Sequence, residues 1–186
     1  MSYAFNRCDK LEVIHLGTIT TNNVTNVCGL FNGCRKLAKI PLVIEKLQNV
    51  EDISIMFQDC AVLPKVNVSN YNTTKVKDMS GVFSGCNELV QVNIGSCGTD
   101  KVREMVGMFN KCSSLTSVTL GKWNLSRVSN ASGMFYQCGK LKNIKNIENL
   151  KFTKEAKLEN FFEQCAFEKK DEILKNLVAT NQNQIK

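Results

Sequence analysis

The sequence is poor in three residue types that usually punctuate, anchor or catalyse: 186 residues contain two prolines, one tryptophan and one histidine. With so little proline, no segment reads as a polyproline linker or a collagen-like rod. With one histidine, His15, there is no second imidazole for an acid–base relay or a paired metal site. His15 lies between Ile14 and Leu16 and is expected to point out of a first strand into solvent. No Gly-rich phosphate loop and no nucleophile elbow is present. No apolar run is long enough to cross a bilayer as a helix. The first residues, MSYAFNRCDKLEVIHL, lack the apolar stretch and small-residue cleavage site of a secretory leader, which leaves a cytoplasmic location open. Together these absences argue against an enzyme and call for no cofactor and no metal.

What is present is moderate in amount and regular in arrangement. The hydrophobic fraction is 43%, enough for a core, and the length suits a single domain. A formal charge of +7 admits an acidic partner without requiring one. The nine cysteines are too few for a disulfide scaffold and odd in number.

Their placement explains them. Phe5, Phe31, Phe57, Phe83, Phe109, Phe135 and Phe162 recur at intervals of 26, with 27 at the last step. Cys8, Cys34, Cys60, Cys86, Cys112, Cys138 and Cys165 keep the same intervals, so seven of the nine cysteines form one column of a repeat. Thiols 26 residues apart lie along a line and do not converge as metal ligands must. Cys28 and Cys97 stand outside the column, and Cys97 is expected to be the more exposed of the two. Leu11, Leu37, Leu63, Leu89, Leu115 and Leu141 follow each column cysteine by three, and Ile14, Ile40, Val66, Val92, Val118 and Ile144 come three later.

The unit reads L-x-x-[VI]-x-[LVI], then a polar stretch, then V-x-x-[MVI]-x-G-[MV]-F-x-x-C. Its first part alternates with period two, as a strand does. Its last part spaces apolar residues by three and four, which predicts a turn or two of helix. One such unit cannot bury its own apolar side, but stacked copies can. The expected fold is therefore an α/β solenoid, a right-handed superhelix with one short strand and one short helix per repeat. The repeats are placed at 3–29, 30–55, 56–81, 82–107, 108–133 and 134–161, with a partial one at 162–167. A capping helix is expected over 168–180 and a frayed tail beyond it, and 1–186 is one domain. The abrupt start at Tyr3-Ala4-Phe5 reads as a chain cut from a longer protein.

The stretches VKDMSGVFSGCNELVQVNI (76–94) and WNLSRVSNASGMFYQCGKLKNI (123–144) resemble the BspA-like leucine-rich repeats, in the 26-residue subtype of bacterial and mycoplasma surface proteins. The resemblance spans roughly 3–165. It implies the leucine-rich-repeat fold, a cell-surface or secreted location, and an adhesin-type role with host or matrix proteins as partners. It carries no catalytic residues. The second repeat departs from the pattern at Glu45 and Ile55, and the sixth has one extra residue near 146–155; both are expected to be irregular.

Two surfaces are candidate sites. The outward strand positions form one polar face: Lys39, Lys65, Gln91, Ser117 and Asn143 in one column, and His15, Asn67, Asn93, Thr119 and Lys145 in the next. Repeat proteins commonly use such a face to bind a protein partner. The second is a basic ridge, with Lys75, Lys101 and Arg127 in one column and Lys77 and Arg103 in another. It would suit a polyanion, but no aromatic set accompanies it for stacking on bases, so nucleic acid is disfavoured. Beside the ridge, Asn26, Asp52, Asp78, Glu104 and Asn130 are placed to cap helices. The expected function is non-enzymatic protein interaction through the strand face. The alternatives are an intracellular interaction or effector protein of the same fold, polyanion binding, or a plain spacer. The expected state is a monomer or weak end-to-end association.

Overall fold

A computed structural model describes residues 1–15, 22–40, 48–69, 71–95 and 97–179. Leu16, Leu42, Glu45 and the expected C-terminal tail lie outside them. Four strands of three residues follow in chain order: β1 (Lys65–Asn67), β2 (Gln91–Asn93), β3 (Ser117–Thr119) and β4 (Asn143–Lys145). They pair in parallel in the order β1-β2-β3-β4, with Val66, Val92, Val118 and Ile144 in register. The register step is the 26-residue period itself. In each strand the central residue is buried and its neighbours face outward, as pleating requires.

The expected helix in each repeat is not there. Among the described residues the only α-helix is α1 (Lys170–Ala179). The V-x-x-M-x-G-M-F-x-x-C segments are chains of tight turns, each stapled to the next repeat. In the repeat of Phe31, the N–H groups of Leu30, Asn32 and Cys34 donate to the carbonyls three residues back, at 3.0–3.1 Å. The N–H groups between them, of Val27, Gly29, Phe31 and Gly33, donate to Asp52, Ser54, Met56 and Gln58 of the following repeat, at 2.8–3.0 Å. A regular helix would consume all of these donors internally. Splitting them between turn and neighbour requires a left-handed residue at two points, four apart. Gly29, Ile55, Gly81, Gly107 and Gly133 occupy the first column, with φ from 49° to 63°. Gly33, Asp59, Gly85, Lys111 and Gln137 occupy the second, with φ from 57° to 73°.

With no helices to cap, the Asn26–Asp52–Asp78–Glu104–Asn130 column takes another part. Its members form single parallel bridges from repeat to repeat. The carboxylates of Asp52 and Asp78 accept the N–H groups of Ser54 and Ser80 at 2.9 and 2.7 Å, closing local turns.

The core runs along the stack. The rings from Phe5 to Phe135 lie 5.3–5.9 Å apart and within 12° of parallel, and Phe162 continues the file 5.4 Å from Phe135. Offset stacking of this kind adds about 0.5–1.5 kcal/mol per pair beyond area burial. The extra residue of the sixth repeat is absorbed at Asn146, left-handed at φ 68°, and in a 3-10 turn over Ile147–Asn149. Beyond that turn the bridge Leu125↔Phe152 spans 27 residues. The second repeat departs at Ile55, a β-branched residue held left-handed where other repeats have glycine. Helix α1 lies within the span expected for a cap, with Ile173 and Leu177 buried.

Candidate functional site

The parallel register brings most of the strand-face residues into two straight columns. Lys65, Gln91, Ser117 and Asn143 align in one, and Asn67, Asn93, Thr119 and Lys145 in the other. Adjacent positions are about 4.8 Å apart, the spacing of hydrogen-bonded strands. Lys65, Asn67, Gln91, Asn143 and Lys145 are exposed, while Asn93, Ser117 and Thr119 are half-buried. An open trough of about 390 Å³ lies over the middle strands, lined by residues from Lys65 to Thr119 and floored by Val66 and Val92. His15 and Lys39 are exposed but lie outside the four-stranded sheet, so the structure does not bring them into these columns.

The two asparagines in the trough are oriented from below. The side-chain oxygen of Asn67 accepts from the N–H of Ser69 at 3.2 Å and from its hydroxyl at 2.8 Å. That of Asn93 accepts from the N–H of Gly95 at 3.1 Å. Each closes an Asx turn, so the acceptor end of the amide is engaged by the backbone and the NH₂ end remains as donor. The sequence signal was legible in Asn67-Val68-Ser69 and Asn93-Ile94-Gly95, and reading the face only as polar misses it.

The basic ridge is exposed at Lys75, Lys77, Lys101, Arg103 and Arg127, and part of its charge is answered locally. Lys77 pairs with Glu51 at 2.6 Å, and this hydrogen bond and charge hold the Glu51 carboxyl below its ordinary range. The Lys75 ammonium donates to the side-chain oxygen of Asn49 at 2.5 Å. The ridge is thus a mixed strip of both signs.

The thiol column has a directional role beyond filling space. The thiols of Cys34, Cys60, Cys86, Cys112 and Cys138 each donate to the carbonyl of the phenylalanine one repeat earlier, Phe5, Phe31, Phe57, Phe83 and Phe109, at 3.0–3.2 Å. Burial holds these thiols neutral. It pushes Cys34 up to about 11 and drives Cys60, Cys86, Cys112 and Cys138 far above the usual thiol range. The thiolate needed for nucleophilic chemistry is therefore suppressed at these five positions. Cys97 differs from expectation. It takes the position of Tyr71 and Trp123, which packs against the core, so it is half-buried and burial raises it to about 11. The exposed thiol is Cys8.

Among the described residues no helix is long and apolar enough to cross a membrane, and no cluster of three or more acidic, His or Cys side chains is placed to hold a metal ion. No curated protein matches the sequence. Among solved structures, a leucine-rich-repeat protein of T. pallidum is 22% identical with a TM-score of 0.60, over 98% of this chain and 76% of that one. A leucine-rich cell surface protein of Faecalibacterium prausnitzii A2-165 is 15% identical over 83% of this chain and 52% of that one, with a TM-score of 0.39. A leucine-rich-repeat protein of Bacteroides ovatus is 19% identical over 88% and 61%, with a TM-score of 0.36. The likeness to the T. pallidum protein shows the leucine-rich-repeat fold. Matching over residues 1–93 and 51–175, the chain belongs to the family described as Mycoplasma protein of unknown function, DUF285.

Proposed function

We propose that the chain is a non-enzymatic protein-interaction module, a solenoid of the BspA-like 26-residue type, that presents its strand face to a partner protein. The observation that supports this is the face itself. Eight polar side chains stand in two straight columns on an in-register sheet, above an open trough. Because a buried core fixes the backbone beneath them, little ordering entropy opposes binding there. A surface or secreted location and an adhesin-type role follow from the same reading, with a host or matrix protein as partner. The module acts as a monomer or in weak end-to-end association.

The test is binding of the immobilised chain to a panel of matrix proteins, glycans and nucleic acid at low and raised salt. The reading expects a salt-resistant protein hit that weakens when Gln91 and Asn93 are replaced by alanine. Binding confined to polyanions, falling linearly with salt on logarithmic axes and lost on charge reversal of Lys101 and Arg127, would replace it with the ridge reading.

A further inference from the structure

The chemistry of the strand face is one-sided. Among the described residues, its two columns hold Lys65 and Lys145 and no acidic side chain. The nearest acids in sequence, Glu12, Glu88 and Glu148, lie three residues from His15, Gln91 and Lys145 and outside the two columns. The two ion pairs among the described residues are Lys77–Glu51 and Lys154–Glu155, so neither Lys65 nor Lys145 is neutralised in this way. Between those lysines, at opposite edges of the sheet, lie Asn67 and Asn93. Their oxygens are taken by Ser69 and Gly95, and among the described residues no partner engages their NH₂ groups. Gln91, Ser117 and Thr119 add donors that can turn to suit a ligand. A surface that donates along its length and is positively charged at both edges is complementary to carboxylates.

The ridge contrasts with it. Its lysines already meet Glu51 and Asn49, and Asp100 lies beside Lys101 in the chain. A ligand there must displace or repel existing acids. At the strand face it meets none.

Building on the strand-face reading, we propose that the strand face takes an acidic segment of the partner protein, which runs over the trough and on to β4, its carboxylates meeting Lys65, Lys145 and the amide donors of Asn67 and Asn93. The probe is a fluorescein-labelled peptide of alternating Glu and Ser, about 12 residues long, with its Gln–Ser counterpart as the uncharged isostere. Anisotropy is read on the full chain at about 0.15 M salt, where charges beyond about 8 Å are screened. The Glu peptide should bind at least tenfold more tightly than the Gln peptide. Replacing both Lys65 and Lys145 by Gln should weaken it about tenfold, whereas Lys101→Gln with Arg127→Gln should change it by less than about twofold. Circular dichroism checks that each variant is folded.

No binding of the Glu peptide, or an equal loss in the ridge variant, overturns the proposal. So does preference for heparin with displacement from the ridge. Equal binding of both peptides, lost when Gln91 and Asn93 become Ala, overturns the acidic class and leaves the strand face standing. Binding untouched by every strand-face variant overturns both.

Discussion

Replacing Gly133 by alanine distinguishes the turn ladder from the helix it replaces, because the two predict opposite signs. In a helix interior, Gly→Ala stabilises by roughly 0.5–1 kcal/mol. In the turn ladder Gly133 sits at φ 63°, where a side chain is disfavoured by roughly 1–2 kcal/mol. Alanine's smaller unfolded-state entropy returns about 0.4–1 kcal/mol. Sterics do not confuse the reading, since the nearest atom to an added Cβ is that of Tyr136 at 3.6 Å. The expected net is a loss of about 0.5–1 kcal/mol. With a urea m-value of about 1–3 kcal/mol per molar, the midpoint should fall by about 0.2–1 M. Urea unfolding followed by both far-UV circular dichroism and Trp123 fluorescence reads the shift and tests whether the stack unfolds as one unit. Gly139→Ala is the control, because nothing lies within 4 Å of that Cβ and no left-handed backbone is involved. It should stay within about 0.5 kcal/mol. A midpoint raised by Gly133→Ala, with Gly139→Ala unchanged, would refute the turn ladder.

Other expectations follow from packing and from the thiols. Gly121→Ala places a Cβ 2.0 Å from the Gly95 carbonyl oxygen; relieving that backbone contact should destabilise by about 3 kcal/mol or more, seen as a large drop in the thermal midpoint. The thiols of Cys60, Cys86, Cys112 and Cys138 stay protonated when folded, while unfolded thiols ionise from about pH 9. Above that pH the native state therefore binds more protons, and stability falls as pH rises. Urea midpoints measured from pH 8 to 11 should decline, and Cys86→Ala should remove about one proton from the slope; a flat profile would contradict the burial. At neutral pH a thiol-specific reagent should modify the exposed Cys8 without denaturant and should reach Cys60, Cys86, Cys112 and Cys138 only on unfolding.

The columns were legible because a period reports side chains that share an environment. The 26-residue recurrence of Phe, Cys and Val already contained the stacked rings and the register Val66–Val92–Val118. The backbone joining them was not legible in the same way. Spacings of three and four arise from a helix and equally from successive i→i−3 turns, since both return the chain to the same side. The discriminating sign was Gly81 with Gly85, and Gly29 with Gly33, two glycines four apart where a helix tolerates neither well. At the candidate site, the face and its members Lys65 to Lys145 could be read from alternation. The fixed polarity of Asn67 and Asn93 could not, because it depends on a hydrogen bond to the backbone two residues on. Cys97 was misjudged because its column mates Tyr71 and Trp123 carry polar tips on bodies that pack inward.

The ladder that staples the repeats also gives the molecule a direction. Turn N–H groups point toward the later repeat, and the thiols point back toward the earlier one. The two faces of any repeat are therefore chemically unlike, the later one offering turn N–H groups and phenylalanine carbonyls and the earlier one turn carbonyls and thiols, as with the two ends of a polar filament. Two copies meeting through equivalent faces would set turn carbonyl against turn carbonyl or turn N–H against turn N–H. Every junction between successive repeats instead joins unlike faces in the same way. A whole unit of 26 residues duplicated or deleted within the stack would thus leave behind a junction of the same kind, whereas a single extra residue, as in the sixth repeat, calls for a local turn to absorb it.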